Sequence, residues 1–273
     1  MPRGLDHIVH AVRDLDAAAE FYRRAGFTVG ARNRHPWGTH NYIVQFPGVF
    51  VELIGVGEPG LVRPAGQRVF SFGAYIRDFL SRGEGLSMLV LEGKGAAADV
   101  DAFRAAGIGD FEVFDFAREA KRPDGTTVEV AFSLVFAADP HAPDVGYFTC
   151  QQHFPENFWN PAFQIHPNGA KGVAGVVLVA ENPADHGAFL KAFAGVSDFT
   201  PTSGGITIET PRGQITVMDP SAYRLAFGLT PPDVTSGARL AAIRFSQPEA
   251  ARGGLIAPPD EAFGATLIFE SPK

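Results

Sequence analysis

Two apolar, strand-like segments each carry one side chain that could bind a metal or move a proton. His7 lies within residues 5–12, and Glu52 lies between Phe50 and Ile54. A free carboxylate among apolar neighbours is unfavourable unless a metal, or a partner such as His7, compensates its charge. Imidazole and carboxylate together suit zinc, iron or manganese better than calcium. The alternative is a hydrogen-bonded His7 in the core and a Glu52 at a strand edge.

A predicted turn at residues 35–41, with the sequence HPWGTHN, combines two histidines, a tryptophan and an asparagine. Loops with such side chains often carry ligand contacts. We therefore assign His35 and Asn41 to substrate orientation and Trp37 to a wall of the site. The alternative is a hairpin turn whose polar groups bond their own backbone.

A second polar segment, residues 151–170, falls on no predicted helix or strand. It contains His153, Glu156, Trp159 and His166. Loops of this length within a compact domain are usually functional, and His166 is a further candidate for substrate binding. The segment is predicted either to cover the site as a lid or to link two parts of the chain, and both interpretations stay open.

Composition restricts the class of protein. The 273 residues are 45% hydrophobic and 19% charged, which predicts a folded core, and 24 phenylalanines could fill that core or line an apolar cavity. The net charge of −7 argues against nucleic acid and anionic membranes as partners. The single cysteine, Cys150, and the absence of a recognisable signal peptide predict a cytoplasmic protein. Cys150 lies in an apolar strand, which favours a buried structural thiol.

The first predicted strand, residues 5–12, decides which way His7 points. Alternate residues of a strand share a face. His7 is therefore predicted to point with Val9 and Ala11, whereas His10 faces the opposite side.

The elements around these residues repeat along the chain. After the first strand, Asp14 is expected to cap a helix that Gly26 ends, and three more strands complete a βαβββ module at residues 27–33, 41–46 and 50–56. A second copy is predicted over residues 85–154, with one of its strands at residues 111–116, and a third opens at residue 175. A fourth, abbreviated copy has strands at residues 240–245 and 265–269. Residues 70–80 are predicted to be helical.

This order, with a histidine in the first strand and a glutamate in the fourth, resembles the vicinal-oxygen-chelate superfamily. That group includes glyoxalase I, extradiol dioxygenases, fosfomycin-resistance enzymes and bleomycin-binding proteins. More narrowly, five motifs are similar to a glyoxalase-like-domain family of bacterial proteins: LDHIV (5–9), HPWGTHN (35–41), VELI (51–54), QHFPE (152–156) and HPNGA (166–170). The resemblance covers residues 4–180 well and the remainder only by element order.

The resemblance implies an α+β fold in which βαβββ modules pair into curled mixed sheets that form a cup, with helices on the outside. It implies a first, glyoxalase-like domain over residues 1–172, built from modules 1–56 and 85–154. Residues 173–273 would form a second, partly abbreviated module pair.

In that superfamily both modules supply metal ligands to the inner wall of the cup. Here the positions that match His7 fall near Met88 in the second copy and near Gly175 in the third, and neither is a credible ligand. The last strand of the second copy ends at His153, which is therefore the third candidate. The predicted metal ligands are therefore His7, Glu52 and His153, for zinc, iron(II), manganese or nickel, and this set departs from the superfamily's usual arrangement.

Three functions are compatible with the sequence. The leading interpretation is an enzyme whose divalent metal binds adjacent oxygens of a small substrate, with His7 and Glu52 as catalytic residues. Its chemistry would be that of a lyase, an isomerase or an extradiol-type dioxygenase. The alternative is a metal-free small-molecule-binding protein like the bleomycin-resistance members. A third is a cup filled by side chains, with function on the protein surface. A homodimer that completes the cup also stays open.

Overall fold

The computed structural model describes residues 1–121, 125–248 and 254–271. The elements of the first half are β1 (Leu5–Ala11), α1 (Leu15–Arg24), β2 (Asn33–Arg34), β3 (Thr39–Phe46), β4 (Val49–Val56), α2 (Phe72–Arg82), β5 (Gly85–Glu92), α3 (Ala96–Ala105), β6 (Phe114–Lys121), β7 (Thr127–Ala137), β8 (Gly146–Gln152) and α4 (Pro155–Phe158). Those of the second half are β9 (Gly172–Val179), α5 (Gly187–Ala194), β10 (Thr200–Thr202), β11 (Gly205–Glu209), β12 (Gln214–Met218), α6 (Pro220–Phe227), β13 (Arg239–Ser246), β14 (Gly254–Ala257) and β15 (Thr266–Glu270). Short 3₁₀ helices lie at Pro59–Leu61, Pro161–Gln164 and Pro183–His186.

The strands form two mixed sheets, one in each half of the chain. The first has the order β2-β3-β4-β1-β5-β8-β7-β6, and the second has the order β10-β11-β12-β9-β13-β15-β14. In the first sheet β1 is parallel to β4 and antiparallel to β5, which is parallel to β8. In the second sheet β9, β12, β13 and β15 repeat these relations. Each sheet is therefore a pair of modules, as the repeat in the sequence predicts.

Two predicted strands have different limits in the structure. The strand predicted at residues 27–33 is reduced to Asn33–Arg34. Its earlier amides bond elsewhere, since Phe27 N donates to Tyr22 O and Thr28 N donates to His166 Nδ1. The strand predicted to begin at Phe111 begins at Phe114 and extends to Lys121.

The helices lie on both faces of the sheets. Buried residues of α1, α3 and α5 pack in one large core with the convex faces of both sheets. The connecting helices α2 and α6 instead pack against the concave faces, each over its own sheet. Helix α2 confirms the helix predicted near residues 70–80, whereas α6, capped by Asp219, was not predicted. None of the described helices is long and apolar enough to cross a membrane.

The orientation predicted for β1 is confirmed. Val9 and Ala11 belong to the concave core with α2. His10 points to the convex side, where its Nδ1 lies 3.0 Å from the hydroxyl of Tyr22 and its Nε2 lies 3.0 Å from the carbonyl of Phe263. Of the two histidines of β1, His7 therefore points to the concave face of the first sheet and His10 points to the convex face.

The chain passes from the first sheet to the second between β8 and β9, near the proposed domain boundary at residue 172. The two halves nevertheless share one core. Ile8 and Leu89 of the first sheet belong to the same buried cluster as Leu178 and Ile243 of the second. Residue 172 thus separates two sheets that pack on each other, and we keep it as a proposed boundary.

Candidate functional site

A small cavity lies on the concave face of the first sheet. It encloses about 50 Å³, which is room for about one or two water molecules. Six phenylalanines form much of its wall: Phe50, Phe72, Phe116, Phe132, Phe148 and Phe158. The polar and charged groups on the same wall come from His7, His35, Asn41, Glu52 and Arg118. The phenylalanine-rich composition therefore serves a cavity as well as the core.

His7 is held in the cavity wall from two sides. A shift of register between Leu5 and His7, where β1 pairs with β5, turns Asp6 towards the same face as His7. Asp6 Oδ1 lies 2.6 Å from His7 Nδ1, and the His7 ring stacks on Phe50 with centroids 4.3 Å apart. Since Nδ1 bonds Asp6, Nε2 is the ring nitrogen left for a ligand.

Glu52 lies on β4, the parallel neighbour of β1, where it pairs with Val9. It is 6% exposed, and its Oε1 accepts a hydrogen bond of 2.5 Å from Asn41 Nδ2. Burial raises the pKa of the Glu52 carboxyl above its ordinary value, although His7, Asn41 and Arg118 oppose this rise. A carboxyl group with a raised pKa, oriented through one oxygen, is suited to accept and return a proton.

His35 and Trp37 form a second wall with their rings stacked, 4.6 Å between centroids. Burial lowers the pKa of His35 to about 3, so its ring is neutral at pH 7. The Asn41 amide lies 3.4 Å from Nε2 and can only donate to it, so Nδ1 carries the proton and donates to Thr39 Oγ1 at 2.8 Å. Trp37 Nε1 is buried and has no hydrogen-bond partner in the part of the chain that the structure describes. His35, Trp37 and Asn41 thus meet at the cavity, where Trp37 keeps a free donor.

Arg118 is the site residue that the sequence analysis missed. It lies on β6, where it pairs with Val130 of β7, and it lines both the cavity and a wider outer groove of about 670 Å³. Burial lowers the pKa of its guanidinium, and the charge of Glu52 opposes this effect. The sequence offered one signal, an arginine two residues after Phe116 in a period-two pattern, but the predicted strand ended at Phe116.

Two predicted site residues lie outside the cavity. His153 follows β8 on the convex side, where its Nε2 is 2.8 Å from Ser133 Oγ. His166 is held between backbone groups, with Thr28 N donating to its Nδ1 at 3.0 Å and its Nε2 2.9 Å from Gln45 O. The structure therefore does not bring His153 to His7 and Glu52, and it gives His166 a place in the core rather than at the cavity.

The segment 151–170 has parts of both predicted roles. Its helix α4 covers the cavity, because the Phe158 ring lies 5.1 Å from Phe50 and 5.7 Å from Phe132. Gln45 Nε2 fixes α4 by donating to the carbonyl of Phe158 at 2.9 Å. Its last residues, around His166, connect the two sheets. The first part acts as a cover and the second as a packed linker.

Three donors beside the cavity are close enough to share a divalent cation. Asp6, His7 and Cys150 each offer one ligand atom, and these atoms lie within 4.8 Å of one another. Glu52 does not belong to this group of three, so a metal held by both His7 and Glu52 is a proposal. Asp6 orients the His7 ring and Asn41 orients Glu52, which is how metal ligands are usually supported. The second module contributes only one of these donors, Cys150, and burial raises the pKa of its thiol. A metal at Cys150 would therefore have to displace a proton.

The matching place in the second sheet is filled by side chains. The pairing of β9 with β12 sets Gly175 beside Gln214, two residues before Thr216, as His7 stands beside Phe50 in the first sheet. The guanidinium of Arg244 occupies the space beside Gly175, where an added Cβ would lie 2.4 Å from Nη2. Arg244 is paired with Glu270 at 3.2 Å. On the second sheet, an ion pair therefore fills the place where the first sheet has a cavity.

Comparisons with known proteins identify a family and a fold. The model of a glyoxalase-like domain matches residues 5–193. A search of curated proteins finds no match. A hypothetical protein from Staphylococcus aureus has a similar solved structure, with a TM-score of 0.72 at 12% identity over 99% of this chain and 100% of that one.

Two named enzymes are also similar in structure. A Mn(II)-bound glyoxalase from Novosphingobium aromaticivorans has a TM-score of 0.51 at 12% identity, covering 99% of this chain and 83% of that one. A mutant 4-hydroxymandelate synthase from Streptomyces coelicolor has a TM-score of 0.50 at 11% identity, covering 90% of this chain and 71% of that one. At such low identities the likeness shows the fold alone.

Proposed function

The chain belongs to the glyoxalase-like domain family of the vicinal-oxygen-chelate superfamily, and we propose that it is an enzyme acting on a small oxygenated molecule in the cavity of the first sheet. The observation that carries the proposal is the pair of His7 and Glu52, each oriented by a neighbour and both facing an aromatic cavity. A buried carboxyl group with a perturbed pKa, lying in a cleft, is typical of an active site.

In this proposal His7 Nε2 and the free oxygen of Glu52 would hold a divalent metal, with Cys150 as a further donor. Such a metal supplies Lewis-acid polarisation of adjacent substrate oxygens. Glu52 also has the environment of a general base, since burial raises its pKa and Asn41 fixes one of its oxygens. The phenylalanines exclude water, which strengthens each polar contact made inside the cavity.

The reaction class favoured by these residues is proton transfer, as in a lyase or an isomerase. A non-haem iron dioxygenase site typically needs two histidines and one carboxylate on one face of the metal. In the described cavity wall the second histidine is His35, and both of its nitrogens already have partners. Dioxygenase chemistry is therefore the less favoured form of the proposal.

A metal-free binding protein is the second candidate function. It is favoured by the second module, whose residues on the concave face include Met88, Val90 and Phe148 in place of ligands. It is also favoured by Arg118, a cation already on the cavity wall.

Metal content separates the two functions. Untagged protein would be loaded with zinc, manganese, nickel or iron(II), dialysed and measured by plasma mass spectrometry. We expect about one metal per chain, lost in His7→Ala and Glu52→Ala. His153→Ala is the matched control and should keep its metal, because His153 lies on the opposite face of the sheet. If no preparation holds metal above background, the metal-dependent enzyme is excluded and the binding protein takes its place.

A further inference from the structure

Arg118 has no counter-charge in a setting that normally requires one. Among the described residues, no carboxylate oxygen lies within 4.0 Å of its guanidinium, although most other arginines that are even partly buried have such a partner, including Arg3 with Asp99 and Arg244 with Glu270. Within residues 1–121, 125–248 and 254–271, its side chain makes one hydrogen bond, from Nη1 to the carbonyl of Glu119 at 3.3 Å. A guanidinium has five N–H donors, so most of them have no partner in this part of the chain.

The surroundings of Arg118 make an unpaired cation unfavourable. Trp37, Phe116 and Phe132 share the cavity wall with it, and these rings leave little water to solvate a charge. Charges that are withdrawn from water are nearly always paired. Glu52 faces the same cavity, but it is bonded to Asn41 and lies beyond ion-pair distance of Arg118. The free space between these groups is where a ligand would lie.

We propose that Arg118 binds the carboxylate of the ligand, so that the natural ligands of this cavity are small organic acids. Carboxylate and guanidinium match in shape and can form two parallel hydrogen bonds. Trp37 Nε1, which is buried and finds no partner among the described residues, offers a further donor on the same wall. Arg118 lines both the cavity and the outer groove, so the carboxylate of the ligand would lie where the two meet. The rest of a larger ligand would lie in the groove. The inference rests on the proposed function only in placing the ligand in this cavity.

The test compares acids with their neutral amides. Metal-free protein, prepared with a chelator, would be titrated with benzoate, benzamide, acetate and acetamide, and followed by protein-observed NMR. We expect wild type to bind each acid more tightly than its amide. Arg118→Met should weaken binding of the acids about tenfold or more and leave the amides unchanged, since a charged hydrogen bond contributes on that scale. Arg118→Lys should retain part of the preference.

Two further variants make the outcome decisive. Arg224→Gln, on the exposed surface of α6, is the control for a general change of net charge and should bind as wild type does. Glu52→Gln should bind the acids more tightly than wild type, because a like charge is removed from the cavity. The absence of a gain would contradict a ligand carboxylate that shares the cavity with Glu52.

Equal binding of acids and amides, or acid binding that survives Arg118→Met, would overturn the inference. So would the failure of wild type to bind either acid. Metal content of the same variants keeps the two proposals apart. Acid binding through Arg118 in a protein that holds no metal would exclude the metal-dependent enzyme alone, whereas metal binding without acid preference would exclude only the role of Arg118.

Discussion

Glu52 and Arg118 place opposite charges on one small cavity, and neither is neutralised by the other at ion-pair distance. The free-energy cost of burying a charge falls mainly on the Glu52 carboxylate, because this residue is 6% exposed and burial raises its pKa. Its only described hydrogen bond is the one from Asn41, at 2.5 Å. A carboxylate in this position lowers the stability of the protein without a bound ligand. It can bind a cationic ligand or take up a proton.

Glu52→Gln should therefore stabilise the metal-free protein while it removes the ability to hold metal. The amide oxygen of glutamine can still accept from Asn41, and the buried charge is gone. We expect a gain of about 1 kcal/mol in the free energy of unfolding at pH 8, measured with urea. Glu20→Gln, on the exposed side of α1, should stay within about 0.5 kcal/mol of wild type. A loss of stability in Glu52→Gln would show that the carboxylate is already compensated.

His10 makes stability depend on pH. Burial lowers the pKa of its imidazole to about 4, from an ordinary value near 6.5. Between these values the unfolded chain binds a proton that the folded chain does not, so stability is full above pH 6.5 and falls as the pH drops towards 4. A shift of this size corresponds to about 3 kcal/mol.

His10→Gln removes the group whose protonation lowers stability at acidic pH. The difference in unfolding free energy between wild type and this variant should therefore become smaller as the pH falls. Unfolding free energies of the two proteins at pH 7.5 and pH 5 check this. Wild type is expected to be more stable at pH 7.5, where its bonds to Tyr22 and Phe263 are intact. A difference that is constant over this range would mean that His10 keeps its ordinary pKa in the folded chain.

At the scale of elements, the short helix α4 controls access to the cavity. Phe158 contacts Phe50 and Phe132 across the opening, and Cys150 lies on the wall beneath with 4% of its surface exposed. Phe158→Ala should therefore speed the reaction of Cys150 with a thiol reagent about tenfold, at a loss of about 1–2 kcal/mol in stability. Phe163→Ala, which changes the outer groove alone, should leave the thiol rate unchanged. Equal rates in both variants would contradict a cover at Phe158.

The repeat in the sequence predicted the fold well because local patterns carry it. Asp14 does cap α1, accepting from Ala17 N at 2.9 Å, and the modules pair as their order implies. The strand predicted at residues 27–33 is too long, since the amides of Phe27 and Thr28 bond α1 and the linker, although Gly30 N does donate to Ile43 O of β3. Helix α6 was missed although Asp219 and Pro220 mark its start.

The position of His7 could be predicted, because side chains alternate between the two faces of a strand. The parts of the site where distant segments meet could not be predicted. Arg118 reaches the cavity because β6 is the edge strand of a sheet that curls back towards β3, which no local pattern reveals. Asp6 faces His7 because of a register shift between strands, and His153 lies past the end of β8, on the convex side. The metal set proposed from the sequence stays a prediction for His7 and Glu52.

At the scale of the molecule, the two sheets are unequal partners. The first keeps a cavity, and the second has Gly175, Thr216 and the Arg244–Glu270 pair in the corresponding region. The second sheet is nonetheless tied to the first by backbone contacts. Leu5 N donates to Arg212 O at 2.8 Å, and Arg212 Nε donates to Leu5 O at 2.7 Å. The second module pair therefore supports β1, the strand that carries His7, and contributes stability rather than a second site.

A chain that ends at residue 171 should consequently fail to fold, although it contains every residue of the cavity. Truncation would expose the convex face of the first sheet, where Ile8 and Leu89 are now fully buried, and would break the ring contact of Phe27 with Phe245, 4.7 Å between centroids. Exposed apolar surface of that kind favours aggregation. We expect the fragment to be insoluble or to bind a hydrophobic dye without a cooperative thermal transition, whereas the full chain unfolds in one transition. A soluble fragment that unfolds cooperatively and binds metal as the full chain does would show instead that the first sheet is an independent domain.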